Sequence, residues 1–193
     1  MKQNIKTAFT IVEVSILFVI FLIVAFLVAP LSLDDTLQAK YTSKWKQVQS
    51  DFDNISHTMQ NNEQKSFRDA FISGINSDIK SEISPYRITY MNGSNPQDTY
   101  RFNKYYNTQS NATLAYNLYN NQQNNVRGIL MYDVNGQTGP NSWGKDVFGF
   151  NIFEDRLEPL GKDKSLSEQK RDCSKDGTGI YCSNYYLIGG NFD

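Results

Sequence analysis

An apolar run comes first in the chain. Residues 9–29 read FTIVEVSILFVIFLIVAFLVA and include only three polar residues, one of them Glu13. As a helix this run would be about 30 Å long, the thickness of a bilayer's hydrocarbon core. The preceding residues 1–8 contain two lysines and no acid. Because positive residues stay on the cytoplasmic side, the pattern predicts a membrane segment with its amino end inside.

A periodic pattern follows between Pro30 and Pro85. Its apolar residues recur every three or four positions, which is typical of a helix that buries one face against its own core. Pro30 cannot donate a helical hydrogen bond, so we expect a kink there. A second helical pattern covers 67–83, and Pro85 should end it because the residue before a proline avoids helical dihedrals. The first stripe consists of Leu33, Leu37, Tyr41, Trp45, Val48, Phe52, Ile55 and Met59.

The remainder of the chain reads as short β-like runs between turn residues. Residues 103–125 are rich in Asn, Gln and Tyr, and we expect them to form a solvated loop with a short helix near 114–118. The predicted strands are Tyr86–Met91, Thr99–Phe102, Val126–Tyr132, Val147–Phe153 and Tyr185–Ile188.

Composition and motifs narrow the function classes. Nineteen basic and twenty acidic residues leave a net charge of -1, which gives no general attraction to nucleic acid. A single histidine, His57, excludes sites built on several imidazoles, and two cysteines exclude four-cysteine metal sites. No phosphate loop, GxSxG or HExxH motif is present. The sequence therefore predicts a protein that is not an enzyme and has no nucleic-acid partner.

Three interpretations of the apolar run compete. A cleaved secretory signal has an apolar stretch of about 7–15 residues, and this run is longer. A plain membrane anchor explains the length but not Glu13, because a carboxylate in a membrane helix costs a few kcal/mol unless it has a partner. The third interpretation gives Glu13 a role.

The run AFTIVEVSILFVIFLIVAFLVAP, residues 8–30, resembles the amino-terminal signature of type IV pilins and type II secretion pseudopilins. The residues that carry the resemblance are Ala8, Phe9, Thr10 and Glu13, after a short basic leader. The family most often has glycine before the cut, and Ala8 is likewise small. The resemblance implies that a prepilin peptidase cleaves between Ala8 and Phe9 and that the new terminus is N-methylated.

The resemblance also implies a fold class and a domain organisation. The fold would be α+β and type IV pilin-like: the first half of a long amino-terminal helix spans the membrane, and its second half packs on a small antiparallel β-sheet head. Residues 1–8 would then be a cleaved leader and residues 9–30 the transmembrane and assembly helix. Residues 31–84 would form an amphipathic helical region and residues 85–193 a β-rich globular head.

The function that the resemblance implies is that of a structural subunit in a type IV pilus-like or type II secretion filament. Glu13 lies one helical turn from Phe9 and would meet the terminal amine of a neighbouring subunit. The implied partners are pilin-like subunits, in a homo- or hetero-polymer, the prepilin peptidase and an inner-membrane assembly platform. Before assembly the subunit would cross the inner membrane once with its head outside; afterwards it would belong to a periplasmic or extracellular filament.

Two other functions remain open from the sequence. The first is a single-pass, membrane-anchored extracytoplasmic binding module that never polymerises. The second is an anchored hydrolase that uses carboxylates of the head, although no pair of acids is marked as catalytic by the sequence.

A loop rich in oxygen ligands lies in the second half of the head. Asp133, Asn135, Asn141 and Asp146 supply carboxylate and amide oxygens, which are ligands that calcium prefers. The loop is similar to Asp- and Asn-rich loops of pseudopilin heads, some of which bind calcium, so calcium is the cofactor that we expect. The alternative is a turn held by Asn and Asp side chains that bond to nearby amides.

The two cysteines, Cys173 and Cys182, lie close together near the chain's end. Outside the cytoplasm disulfides persist, and closing this loop would contribute about 2.5–3 kcal/mol. Pilins often close a carboxyl-terminal loop in this way. We therefore expect a disulfide between them, with two free thiols as the alternative.

Overall fold

The computed structural model describes residues 11–60, 67–123 and 125–191. Within these ranges, the side chains at 11–13, 25–35, 55, 58–60, 67–69, 71 and 120–123 are outside the description. The chain forms two compact units, Met1–Ala39 and Lys40–Asp193.

Helix α1 extends over Ile11–Gln60, and Pro30 does not end it. At this position the helix lacks the backbone hydrogen bond that Pro30 cannot donate. In the first unit, every described residue from Val14 to Val24 is exposed.

This structure corrects the expected fold class. The prediction was a pilin-like α+β fold in which the first half of a long helix spans a membrane. Among the described residues, no helix is both long and apolar enough to cross a bilayer. The described apolar side chains between Val14 and Val24 would cover about 16 Å, roughly half of a bilayer's hydrocarbon core. The architecture that the structure gives is instead a six-stranded antiparallel sheet accompanied by helices.

The sheet has the simplest possible order, with each strand hydrogen-bonded to the next along the chain. All five pairings are antiparallel. The strands are β1 (Ile79–Ile83), β2 (Tyr105–Thr108), β3 (Thr113–Gln123), β4 (Val126–Asp133), β5 (Val147–Ile152) and β6 (Leu157–Pro159).

Three shorter α-helices and one 3-10 turn complete the described elements. Helix α2 covers Phe67–Asp78, α3 covers Leu166–Asp172, α4 covers Cys182–Tyr185, and the 3-10 turn covers Asp98–Tyr100. Helix α3 begins with a capping box, in which Ser165 and Glu168 satisfy each other's backbone amides.

Two of the predicted strands are confirmed, as β4 and β5. Of the others, Tyr86–Met91 makes one isolated bridge at Thr89, Thr99–Phe102 overlaps the 3-10 turn, and Tyr185–Ile188 begins at the last residue of α4. These runs are short. Several of their apolar residues are buried in the core, but the backbone there is not in a strand.

The sheet also includes segments that were not predicted as strands. The second helical pattern was expected to reach Ile83, but α2 ends at Asp78 and β1 follows. Ile79 and Ile83 are four residues apart, which suits one face of a helix and equally one face of a strand. The expected solvated loop holds β2 and β3. In β3, Leu114, Tyr116 and Leu118 pack against one core cluster, whereas Ala115 and Tyr119 pack against the other. The run therefore has the two-residue alternation of a strand, although many of its residues are polar.

Both faces of the sheet are buried. Leu130 of β4 and Phe148 of β5 belong to the cluster that includes Trp45 of α1. The adjacent Met131 and Val147 belong to the opposite cluster, with Trp143. Successive strand residues thus supply two cores, as the pleat requires.

Trp45 joins α1 to the sheet. Its side chain is fully buried, and its ring centroid lies 4.9 Å from that of Phe148 and 4.7 Å from that of Phe150. Its indole N–H donates to the Ser183 carbonyl at 2.8 Å. Tyr41 is buried on the same face, and Val48 and Phe52 pack against it half-buried. The apolar stripe of α1 therefore packs on the protein's own core from Tyr41 to Phe52, as predicted, whereas Leu37 of the same stripe is exposed.

We predict that Trp45→Ala lowers the free energy of unfolding by about 3–5 kcal/mol, because it leaves a large cavity and an unpaired carbonyl. Trp45→Phe should lose less, since it keeps most of the ring packing. Urea unfolding followed by circular dichroism measures both. Lys46→Ala, on the exposed face of the same helical turn, is the matched control, and a Trp45→Ala loss no larger than that of the control would contradict the assignment.

Candidate functional site

The loop between β4 and β5 brings two acids together. Asp133 is the last residue of β4 and pairs with Val147, the first residue of β5, which directly follows Asp146. The Val134 amide donates to the Asp146 carbonyl at 2.9 Å. Both aspartates are fully buried. Strand register alone therefore places residues 13 positions apart in sequence at the same end of the hairpin.

The Asp146 carboxylate organises the far side of the loop. Its two oxygens accept hydrogen bonds from the backbone amides of Asn141, at 2.9 Å, and Ser142, at 2.8 Å. Asn141 takes a left-handed conformation with φ of 51°, which asparagine tolerates better than most residues. This arrangement is the Asp-held turn that the sequence offered as the alternative to calcium.

The Asp133 carboxylate has one local partner and one distant partner. One oxygen accepts from the backbone amide of Asn135 at 3.2 Å. The other accepts from the Tyr86 hydroxyl at 2.7 Å, across 47 residues of sequence. The acid is thus tied to the segment that follows β1.

The two asparagines supply amide groups to the same loop. The Asn135 amide nitrogen donates to the hydroxyl of Tyr41 at 3.1 Å, to the Gly139 carbonyl at 3.2 Å and to the Thr138 carbonyl. The Asn141 amide nitrogen donates to the Gln137 carbonyl at 3.3 Å. In both side chains the Oδ1 atom is buried without a hydrogen-bond partner among the described residues. Two acceptor oxygens therefore remain unused.

The two acids lack a neutralising side chain in the described part of the chain. None of the ion pairs there includes Asp133 or Asp146. The amine of Lys44 donates to the Val134 carbonyl at 3.1 Å. Burial, and next the charge of Asp146, raise the pKa of Asp133 to about 8. Burial also raises the pKa of Asp146.

The oxygen-bearing side chains of this loop are of the type that cations with oxygen ligands use. Two buried carboxylates and two unused amide oxygens match the hard donors that calcium takes in flexible geometry. Within the described ranges, no group of three or more acidic, histidine or cysteine side chains could hold a metal ion. A cation in this loop would therefore depend on amide and backbone oxygens to complete its shell.

The sequence also predicted processing, assembly and disulfide residues. Ala8 and Phe9 lie outside the described residues; Glu13 lies in α1, with its side chain outside the description. The disulfide prediction is confirmed: Cys173 and Cys182 are bonded, with an S–S distance of 2.05 Å and a Cα–Cα distance of 5.0 Å.

Sequence reasoning missed the residue that shapes the disulfide loop, Asp172. Its carboxylate accepts from the amide and hydroxyl of Thr178 and from the amide of Tyr181, at 2.5–3.0 Å. It also missed Tyr41 and Tyr86 as partners of the acidic loop. Their distance in sequence left no local signal for either contact.

No family model, curated protein or solved structure matches this chain.

We predict that, in the presence of a chelator, the free energy of unfolding falls as the pH rises. The ordinary pKa of 3.8 applies to unfolded Asp133, whereas the folded value is about 8. The folded chain therefore keeps a proton that the unfolded chain releases, so the stabilisation is complete below about pH 4 and is lost as the pH rises through about 8. Urea unfolding at a series of pH values measures this slope.

The Asp133→Asn variant should reduce that slope, because its neutral amide cannot titrate. Asp176→Asn, at an exposed aspartate, is the matched control and should leave the slope as in the wild type. A wild-type stability that rises steadily from pH 4 to pH 8 without calcium would contradict the prediction.

Proposed function

We propose that the chain is a structural subunit, of pilin or pseudopilin type, that polymerises into a type IV pilus-like or type II secretion filament. The observation that carries this proposal is the apolar surface of α1. Ten large hydrophobic side chains between Val14 and Val24 are 46–68 % exposed, and Ser15 alone interrupts them. So large a contiguous apolar surface marks a site of protein–protein or membrane interaction.

The amino-terminal motif gives that surface a specific use. Phe9 and Glu13 are four residues apart in sequence, so in a continuous helix the amine formed by cleavage after Ala8 would lie one turn from the Glu13 carboxylate. In a filament, Glu13 meets the amine of a neighbouring subunit while the apolar side chains pack between helices. A charge that needs its partner from the next chain favours one register of assembly.

The proposal also assigns a location and partners. The disulfide supports an oxidising compartment outside the cytoplasm for the unit Lys40–Asp193. The subunit is held at the inner membrane before assembly, where a prepilin peptidase and an assembly platform act on it. Its work is assembly with pilin-like subunits, and it catalyses no reaction.

We predict that Glu13→Ala blocks or strongly slows filament formation while membrane-associated protein stays near the wild-type level. The reason is that the neighbour's terminal amine loses its counter-charge. The yield of sheared filaments relative to total protein measures the effect. Ser15→Ala, a loss of a polar group in the same stretch, is the matched control and should assemble normally.

Intact mass spectrometry separates this function from its rival. A filament subunit loses residues 1–8 and carries an N-methylated Phe9, whereas a membrane-anchored binding module that never polymerises keeps them. Protein that retains its leader in a host with an active prepilin peptidase, together with normal filament yield from Glu13→Ala, would contradict the proposal.

A second proposed function is calcium binding by the loop from Asp133 to Asp146. The observation that favours it is the combination of two buried acids without an ion pair and two buried amide oxygens without a partner. A bound cation would neutralise the acids and use those oxygens, and its charge would lower the cost of ionising them. Binding to the folded loop alone stabilises the chain by mass action.

We predict that calcium raises the melting temperature of the full chain, with a half-effect at about 0.1–1 mM free calcium. Magnesium should substitute poorly because it demands a tight octahedron and sheds water reluctantly. Asp146→Asn should abolish the rise, and Asp176→Asn should preserve it. Differential scanning calorimetry after chelation, and then with added calcium, measures the effect; a melting temperature indifferent to calcium would leave the loop as a turn held by its own side chains.

A further inference from the structure

A groove opens in the connection between β1 and β2. The two strands pair as far as Ile83 and Tyr105, and the chain between these residues then separates into two legs. The legs line a cavity of about 430 Å³. This volume falls within the range of about 300–1,000 Å³ that is common for ligand sites.

The first leg has free backbone hydrogen-bonding groups. The backbone amides and carbonyls of Tyr86, Arg87 and Ile88 have no partner among the described residues. The next residue, Thr89, resumes pairing: its amide donates to Asn141 at 3.1 Å, and its carbonyl accepts from Trp143 at 3.0 Å. A non-helical segment with unpaired amides and carbonyls beside a cavity can accept an added strand.

The floor and walls of the groove are aromatic. Phe102 and Tyr105 are buried at its floor, and the Tyr86 ring lies 5.1 Å from that of Tyr105. Tyr100 is half-buried and packs edge-on against Trp143 at 5.6 Å. The hydroxyls of Tyr100 and Tyr105 have no hydrogen-bond partner in the described part of the chain. Tyrosines in this setting offer large contact area and a polar tip, which is typical of protein-binding surfaces.

The rim of the groove is cationic. Arg87 is exposed and has no ion-pair or hydrogen-bond partner among the described residues. Arg101 is fixed at the other leg, where its Nε donates to the Pro96 carbonyl at 2.7 Å and its Nη1 lies 3.1 Å from the Asp98 carboxylate. Two guanidinium groups and one carboxylate leave a net positive charge, and a free guanidinium suits bidentate pairing with a carboxylate.

The second leg is held in place without a ligand. The Tyr90 hydroxyl accepts from the Gln97 amide at 2.9 Å, and the Tyr90 amide donates to the Ser94 carbonyl at 2.8 Å. The Arg101 carbonyl accepts from the Asn117 side chain at 2.9 Å. A preformed groove lowers the ordering cost of binding.

We propose that this groove binds an extended acidic peptide segment of a partner protein, which pairs with the backbone of Tyr86–Ile88 and places a carboxylate on Arg87. The free backbone groups favour a peptide over a glycan, because only a peptide backbone offers amides and carbonyls at the strand repeat. The unpaired arginine selects an acidic sequence. The observations behind this proposal are separate from those behind filament assembly and calcium binding, although Tyr86 of the groove also donates to Asp133.

The test is fluorescence anisotropy with the full chain, and every measurement uses the same detergent. The probe is a labelled peptide of alternating valine and glutamate with both ends blocked. We expect saturable binding that weakens with salt, and at least tenfold weaker binding of the matched valine–lysine peptide. A peptide N-methylated on alternate amides should also bind about tenfold more weakly, because it cannot pair as a strand.

Variants locate the site. Arg87→Gln should weaken binding by about tenfold through loss of a charge-assisted pair, whereas Arg171→Gln, at an exposed arginine of α3, should bind as the wild type does. Melting curves of both variants verify that they are folded, and Arg101→Gln provides a second change in the groove if Arg87→Gln does not fold.

Equal binding of the acidic and basic peptides, an unchanged affinity in the folded groove variants or full affinity of the N-methylated peptide would overturn the proposal. Binding of an acidic oligogalacturonate without binding of the peptide would also overturn it and would assign the groove to glycans instead.

Discussion

The burial of Asp133 and Asp146 at one end of the β4–β5 hairpin is the constraint on which much of the surrounding structure depends. Two carboxylates removed from water interact unfavourably unless protons, hydrogen-bond donors or a cation compensate them. The loop supplies backbone amides to both acids, and the segment after β1 supplies the Tyr86 hydroxyl to Asp133. The Tyr41 hydroxyl of α1 accepts from the Asn135 side chain of the same loop. Those contacts connect three parts of the unit Lys40–Asp193 through one small polar centre.

Tyr86 connects this polar centre to the groove between β1 and β2. Its hydroxyl is bound to Asp133, while its ring forms part of the wall of the groove between β1 and β2. A shift of this ring would alter the groove, and a change at Asp133 would alter the hydrogen bond that orients the ring. The proposed cation site and the proposed peptide groove thus share a side chain, although each rests on its own observations.

Two surfaces of the described chain lack partners for different physical reasons. The side chains between Val14 and Val24 leave apolar area in water, whose burial between subunits would be favourable without any directional contact. The groove leaves backbone amides, phenol hydroxyls and Arg87 unpaired, and these require a partner of matching geometry. The first surface suits repeated packing of like subunits, and the second suits recognition of one kind of segment.

The sequence by itself determined the elements that have a strong local pattern. The stripe through Tyr41 and Trp45, the apolar strands β4 and β5 and the cysteine pair could all be predicted, because periodicity and spacing are local properties. The four oxygen-bearing residues of the β4–β5 loop were found in the same way.

Only the tertiary structure decided that Ile79–Ile83 is a strand rather than the end of a helix, and that the polar run of β3 lies inside the sheet. A spacing of four residues fits both conformations, and polar strands gain their stability from neighbours that are distant in sequence. The same holds for Tyr86 and Asp133: their contact depends on how β1 and β4 are placed by the sheet, which no local pattern encodes.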